Sequence, residues 1–140
     1  MSIWHGEPTP EALNDLHSGT LVANLGIELL EFGEDFLSAT MPVDERTLQP
    51  FGLMHGGASM VLAETLASVG GNQVVDNAEF QCVGVTATAN HLRSVREGSV
   101  TGIARPLHLG RTSQVWDVTI RDDREREVAA CRITLSVVSI

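Results

Sequence analysis

The stretch QPFGLMHGGASMVLAETLASVGG, residues 49–71, decides the fold because a shaped loop becomes one long helix within it. A proline and three glycines break any regular period in its first part. From about Gly57 to Val75, apolar and small residues surround most of the helical circumference, which predicts a helix buried on nearly all sides. We therefore expect a domain whose core is built round this helix.

Short segments on either side of this helix have the pattern of β-strands. Ahead of it, GIELLEFGEDFLSATMPV predicts a hairpin that turns at Gly33. Behind it, the turn sequences REG, HLGRT and RDDRER separate four strands, Gln81–Leu92, Ser99–Leu109, Ser113–Arg121 and Glu127–Val138. We expect an α+β domain in which a curved antiparallel meander wraps round the central helix.

The chain length and its first residues complete this outline. A chain of 140 residues forms one ordinary domain, which we expect to span residues 1–140. Thr9 as a helix cap, Pro10 at the first helical position and Glu11 in the first turn predict an N-terminal helix that ends near Gly19.

The charge distribution argues against a nucleic-acid partner, because the net charge is −9 and a DNA- or RNA-binding face must be basic. Residues 1–80 hold twelve acids and one arginine, whereas residues 81–140 hold six acids and eight arginines. Four of these arginines fall within nineteen positions: Arg93, Arg96, Arg105 and Arg111. Guanidinium groups suit phosphate recognition, although arginines on a solvated sheet face are the commoner explanation of such a pattern.

The sequence carries no sign of a membrane segment, a secretory signal or a metal site. No apolar stretch reaches the roughly 20 residues needed to span a bilayer, and the N-terminus lacks the basic-then-apolar signal pattern. We expect a cytoplasmic protein. Cys82 and Cys131 fit no metal-ligand spacing and are expected to be small buried strand residues. We predict no metal and no cofactor, and we assign no role to His5 or His17.

Glu64 is the unusual residue of the central helix, because its carboxylate stands among leucines and alanines. A buried carboxylate is costly unless it is paired or protonated, so Glu64 is a functional candidate. Ser68 lies four residues further on the same helical face, where it can orient the carboxylate or a water. An ion pair with an arginine, or a position facing solvent, is an alternative of equal weight.

Gly56 lies where the loop becomes the helix, so its backbone N–H is one of the unpaired donors at a helix start and suits an oxyanion. A plain glycine turn is the alternative. His55 and Gln49 are near enough in sequence to contact the same carbonyl or a water. Glu64 lies about 12 Å further along the helix. If Glu64 and Gly56 cooperate, a second antiparallel copy must bring them together, which implies a symmetric dimer.

The segments ATMPVDERTLQPFGLMHGGASMVLAETLASVGG, ANHLRSVREG and RPLHLGRTSQVW resemble the hotdog-fold acyl-CoA thioesterases of the PaaI-like group. The resemblance covers nearly the whole chain. It is closest to the bacterial enzymes that act on 1,4-dihydroxy-2-naphthoyl-CoA in menaquinone synthesis or proofread enterobactin synthesis. It implies a curved antiparallel sheet wrapped round a long helix. It also implies hydrolysis of an aryl- or acyl-CoA thioester, without a cofactor, at subunit interfaces of a homotetramer built as a dimer of dimers.

The resemblance also implies roles for individual residues. Glu64 would be the catalytic carboxylate, as nucleophile or general base, and the Gly56 N–H would polarise the thioester carbonyl. His55 and Gln49 would contact the carbonyl or water, and Ser68 would assist Glu64. The implied CoA-binding residues are Gly84, His91, Leu92, Arg93, Ser94, His108, Leu109, Gly110, Arg111, Thr112 and Ser113.

Two other functions stay open at this point. In the first, the thioester is carried by the phosphopantetheine arm of a carrier protein instead of CoA, since both substrates present the same arm. In the second, the domain binds acyl-CoA without hydrolysing it, although the full set of Glu64, Gly56, His55 and Gln49 favours catalysis. The segment after the central helix, NQVVDNAEFQCVGV, carries no strong motif, which leaves the acyl group undefined.

Overall fold

The computed structural model describes all 140 residues. Two short helices and a hairpin precede the long helix, and four strands follow it. The elements are α1 (Pro10–Leu16), α2 (Leu21–Asn24), β1 (Glu28–Phe32), β2 (Leu37–Pro42), α3 (Gly56–Val74), β3 (Phe80–His91), β4 (Ser99–Leu109), β5 (Ser113–Arg121) and β6 (Glu127–Ser139). The predicted central helix and strands are therefore present, with bounds shifted by at most one residue.

The N-terminal region follows the prediction at its start and departs from it at its end. The Thr9 side chain accepts a hydrogen bond from the Ala12 N–H at 3.3 Å, as expected for a helix cap. The helix ends at Leu16 instead of near Gly19, with His17 as its C-cap. The four-residue helix α2 was not predicted, because a single helical turn leaves no period in the sequence.

The six strands form one antiparallel sheet in the order β1-β2-β4-β5-β6-β3. The expected simple meander is wrong for β3, which lies at the far edge beside β6 instead of beside β4. The physical reason is that β2 of the N-terminal hairpin pairs with β4 and occupies that edge. Strand β3 is thus an edge strand of twelve residues with one free row of backbone groups, and its Val83 and Val85 are exposed.

Helix α3 packs one face into the concave side of this sheet. Leu62, Leu66 and the alanines beside them are completely buried. Further along α3, glycines allow the helix to lie close to the sheet: a Cβ at Gly70 would lie 2.8 Å from the Trp116 ring. The opposite face is only partly covered by the chain: Val61, Thr65 and Ser68 are half-buried, and Glu64 is exposed. The prediction that α3 is buried on nearly all sides is therefore wrong for the Glu64 face.

Both cysteines are free and buried on strands, as predicted. Burial raises the pKa of the Cys82 thiol. Burial, together with the nearby Asp117 carboxylate, raises the pKa of Cys131 to about 11. No helix is both long enough and apolar enough to cross a membrane.

Candidate active site

The N-terminus of α3 is organised by His55, which caps the helix with both its side chain and its carbonyl. Its Nδ1 accepts the Gly57 N–H at 2.8 Å, and its carbonyl accepts the Ala58 N–H at 3.0 Å. Its own N–H donates to the Thr47 carbonyl at 2.8 Å. Among the donors of this first turn, these contacts leave the Gly56 N–H for an external acceptor.

The hydrogen bond that His55 accepts also determines which nitrogen of its ring carries the proton. A ring nitrogen that accepts a hydrogen bond carries no proton, so the imidazole proton of the capping ring is on Nε2. The side chain is exposed, which leaves this Nε2–H able to donate. The cap thus presents one backbone donor and one imidazole donor at the positive end of a helix, an arrangement suited to an oxyanion.

Gln49 lies in the loop that leads into this helix. Its backbone N–H donates to the Leu53 carbonyl at 2.8 Å, and its carbonyl accepts the Gly52 N–H at 2.9 Å, so the loop closes on itself. Its side-chain oxygen accepts a hydrogen bond from the Phe51 N–H. The amide nitrogen of Gln49 is therefore the group left to donate to a ligand or a water.

Glu64 lies on the partly covered face of α3, eight residues after Gly56. No arginine or other cation forms an ion pair with it, which removes the ion-pair alternative. A Cβ on Gly84 of β3 would collide with a Glu64 carboxylate oxygen. The glycine at position 84 therefore makes room for the Glu64 side chain.

Ser68 is on the same face of α3 as Glu64, and both line a groove of about 290 Å³ between α3 and the α1–α2 corner. The prediction that Ser68 shares the Glu64 face is confirmed. The groove also contains His17, a residue to which we assigned no role. No motif or periodicity could have identified His17, since it comes from a short turn distant in sequence.

The predicted CoA-binding residues divide between the two ends of the sheet. His91 ends β3 beside the start of α3, where a Cβ on Gly56 would lie 2.9 Å from the His91 Nε2. Gly84 pairs with Leu135, and Ser113 pairs with Ser136, whereas His91 pairs with Ala129. Along β6, Leu135 and Ala129 are six residues apart, so Gly84 and Ser113 lie about 20 Å along the strand direction from His91.

Leu92, Arg93 and Ser94 follow His91, and the Leu92 N–H is held by the Val128 carbonyl at 2.8 Å. The other group is the turn between β4 and β5, His108 to Ser113, closed by a hydrogen bond from the Gly110 N–H to the Ser113 carbonyl at 2.8 Å. A single chain therefore brings His91 to Gly56, and Gly84 to Glu64, at separate places.

The arginines of the C-terminal half also divide into two kinds. Arg105 forms an ion pair with Asp35 at 3.1 Å and stacks on the Phe36 ring, so it has a structural partner. Arg93, Arg96 and Arg111 are exposed and form no ion pair within the chain. These three guanidinium groups are available to an anionic ligand. No group of three or more His, Cys, Asp or Glu side chains is arranged to hold a metal ion.

Comparison with known proteins assigns this architecture. Residues 51–129 match the model of the thioesterase superfamily. The chain is 50% identical over 136 residues to the proofreading thioesterase EntH of Cronobacter turicensis, covering 96% of this chain and 98% of that one. It is 48% identical over 135 residues to the 1,4-dihydroxy-2-naphthoyl-CoA hydrolase of Escherichia coli, with the same coverage.

A solved structure agrees with these relatives. The crystal structure of a mutant of thioesterase PA1618 from Pseudomonas aeruginosa matches with a TM-score of 0.98 and 45% identity, over 99% of this chain and 100% of that one. The fold and the matches together define a hotdog-fold thioester hydrolase, as the resemblance implied. The chain belongs to the thioesterase superfamily.

Proposed function

We propose that this thioesterase hydrolyses aryl- or acyl-CoA thioesters at sites shared by two copies of the chain. The observation that carries the proposal is the separation of the candidate residues. Glu64 with Gly84 lies at one place, and Gly56 with His55 and His91 lies at another, about 12 Å along α3. Neither place alone holds both a carboxylate and the oxyanion donors.

The free edge of β3 supports the pairing of two copies. This edge is long, carries exposed Val83 and Val85, and has no strand beside it in the chain. Unpaired edges of this kind are sites of strand addition. Antiparallel pairing of two β3 strands about a two-fold axis would bring Gly84 of one copy towards His91 of the other. Each dimer would then contain two complete sites.

In such a site the thioester carbonyl would accept hydrogen bonds from the Gly56 N–H and the His55 Nε2–H. Both hydrogen bonds would become stronger as negative charge develops on the carbonyl oxygen. Glu64 of the other copy would take a proton from water, which adds to the carbonyl carbon, or would itself attack that carbon. In the first route the C–S bond then breaks, and the leaving thiolate takes up the proton that Glu64 removed from water. In the second route the C–S bond breaks to leave an anhydride between the acyl group and Glu64, which water hydrolyses to the free acid and the regenerated carboxylate, with the remaining proton going to the thiolate. Gln49 and Ser68 would hold the water or the carboxylate.

The CoA portion would lie across both copies. The His91–Ser94 segment would come from the copy that supplies Gly56, and the His108–Ser113 turn from the copy that supplies Glu64. Arg93 and Arg111, which form no ion pair within the chain, belong to these two segments and would meet the phosphates. The homotetramer and the cytoplasmic location stay predictions, the first to be checked by light scattering on the purified protein.

A thioester on a carrier protein is a second candidate substrate, favoured by the similarity to a proofreading thioesterase. The test is thiol release from a panel of aryl- and fatty acyl-CoA thioesters, with one acyl group offered both on CoA and on a carrier protein. We expect a higher kcat/KM with CoA. A higher value with the carrier protein would favour the second candidate. Binding of CoA with no turnover of any thioester would contradict both and indicate a binding module.

A further inference from the structure

The free edge of β3 is open along only part of its length. Near its start, Cys82 lies opposite Val137 of β6. The Val137 N–H donates to the Thr112 carbonyl, on the β5 side of β6, at 2.9 Å. In an antiparallel ladder, a residue whose N–H points away from the neighbouring strand belongs to a pair that exchanges no hydrogen bonds. The backbone N–H and carbonyl of Cys82 therefore also point away from β6, towards the free edge.

The side chain of Asn72, near the end of α3, occupies both of these groups. Its Oδ1 accepts the Cys82 N–H at 2.8 Å, and its Nδ2 donates to the Cys82 carbonyl at 3.2 Å. The same Nδ2 donates to the Ser68 carbonyl within α3 at 2.9 Å. One carboxamide thus makes the two hydrogen bonds that a residue of a neighbouring strand would make. A strand from another chain cannot pair with Cys82 while Asn72 is bound there.

The preceding residue in the same row of the edge, Phe80, is closed as well. Its N–H donates to the Asp76 carbonyl at 2.8 Å, and its carbonyl accepts a hydrogen bond from the Asn77 side-chain amide at 3.3 Å. Alternate residues of a strand direct their backbone groups to the same edge, so Gly84 is the next residue in the row. No side chain of this kind closes the edge at Gly84. The open part of the edge therefore begins at Gly84 and ends with β3 at His91.

The limits of this open segment determine how two copies can pair. Copies related by a two-fold axis use the same residues of each strand, so the segment from Gly84 to His91 would pair with itself in reverse. This register would bring Gly84 of one copy next to His91 of the other. Within each chain, Gly84 adjoins the Glu64 carboxylate and His91 adjoins Gly56. The register therefore suits a site that takes its carboxylate from one copy and its donors from the other.

A neighbouring register would separate these groups. If pairing extended back to Cys82, the two-fold axis would move by one residue, and one copy would slide along the other by two residues, or about 7 Å. Because the side-chain period of a strand is two, this slide keeps each side chain on its own face of the sheet. The hydrophobic pattern of β3 alone therefore does little to exclude the shifted register.

We propose that Asn72 is a positioning residue: its carboxamide closes the edge of β3 at Cys82 and thereby fixes the register in which a second copy pairs. Asn72 takes no part in the bond-breaking steps and acts through the alignment of Glu64 with Gly56 of the second copy. The inference rests on the proposed function and deepens it by naming the group that sets the geometry of the shared site. Asn72 begins the segment NQVVDNAEFQCVGV, in which we found no motif.

The test measures the register by the distance between two nitroxide labels, one on each copy. The label is placed on Glu79→Cys, an exposed position just before β3. Cys82 and Cys131 should take up no label, because burial raises the pKa of both thiols. With Asn72 present, we expect a single distance across the β3 pair by pulsed electron paramagnetic resonance. Asn72→Leu keeps the approximate size and removes the hydrogen bonds, and we expect a second distance about 7 Å shorter.

Turnover of the same samples distinguishes a change of register from a general loosening of the chain. A shifted dimer holds no complete site, so kcat of Asn72→Leu should fall in proportion to the fraction of the shorter distance. KM should stay within about twofold of wild type, because the sites that remain are unchanged. Asn72→Ala opens the same edge and should behave alike. Asn72→Asp keeps an acceptor for the Cys82 N–H and should retain the longer distance in most dimers.

Gln73→Leu is the matched control, because it replaces the neighbouring amide, which forms no hydrogen bond through its side chain. It should change neither the distance nor kcat. Circular dichroism and thermal unfolding check the folding of each variant. Folded Asn72→Leu and Asn72→Ala proteins with the single longer distance would overturn the role of Asn72, whatever their kcat, and leave the proposed function standing. A wild-type protein that is monomeric and shows no distance between labels would overturn the proposed function as well.

Discussion

The two ends of the candidate site differ in the kind of chemical group that they supply. The start of α3 offers donors that are fixed by the backbone, since His55 caps the helix and the Gly56 N–H is left for an acceptor. The middle of α3 offers a single carboxylate, Glu64, held against Gly84 on an exposed face. The first region is built to stabilise negative charge and the second to take a proton or attack. This difference is the reason we propose that a complete site needs two copies of the chain.

Glu64→Gln removes the second region with almost no change in shape, so it should have the largest effect. We expect kcat to fall by about a thousandfold or more, because neither proton abstraction nor attack is possible for an amide. CoA binding and the thermal unfolding midpoint should stay near wild type. Turnover is measured by thiol release, with Glu31→Gln on β1 as the control for an exposed glutamate. Wild-type turnover by Glu64→Gln would remove Glu64 from the mechanism.

Two substitutions of Gly56 distinguish the effect of losing its N–H from the effect of adding a Cβ. Gly56 is the first helical residue and follows His55 at φ −66° and ψ 132°, a conformation that proline at the next position accepts. Gly56→Pro removes the N–H, whereas Gly56→Ala keeps it and adds the same Cβ beside His91. We expect kcat of the proline variant to lie roughly 10² to 10³ below that of the alanine variant. Equal rates for the two would contradict a role for this donor.

Gly84→Ala tests whether the position of Glu64 matters. The new Cβ would collide with the Glu64 carboxylate oxygen, and that flexible side chain can move away at little cost in stability. We expect kcat to fall by about 10- to 100-fold with little change in the unfolding midpoint. Gly6→Ala is the control, because nothing lies within 4 Å of a Cβ there. An unchanged kcat would mean that Glu64 acts from another position.

His55 has a capping role and a proposed donor role, and two substitutions distinguish them. His55→Asn retains an acceptor for the Gly57 N–H, since asparagine is a preferred capping residue. It should keep the unfolding free energy of wild type while kcat falls about tenfold. His55→Ala should lose the same activity and about 1 kcal/mol of stability in addition. Full activity in His55→Asn would leave His55 with the capping role alone.

Much of the fold was predictable because its signals are local. Strand β4 and strand β5 have the predicted bounds, since turn sequences mark both ends of each. Helix α3 begins one residue early, at Gly56. The place of β3 was not predictable, because no residue in β3 indicates which sheet edge is already occupied. Helix α2 was too short to leave a pattern.

The candidate residues could be named from the sequence, whereas most of the contacts that each of them makes could not. Glu64, Gly56 and His55 stood out by type and by position in the loop and helix. The exposure of Glu64 was one of the alternatives left open, because helical periodicity identifies apolar residues and not which face the rest of the chain leaves exposed. The contact of Glu64 with Gly84 and the place of His17 in the groove depend on residues far apart in sequence.

The most direct test of a site shared between two chains is complementation between Glu64→Gln and Gly56→Pro. In a dimer of two identical variant chains, both sites are defective. A mixed dimer of one Glu64→Gln chain and one Gly56→Pro chain contains one site with both defects and one intact site. Equal co-expression should therefore restore about a quarter of wild-type thiol release per chain, from randomly mixed symmetric dimers. Activity that stays at the average of the two variants alone would contradict the shared site.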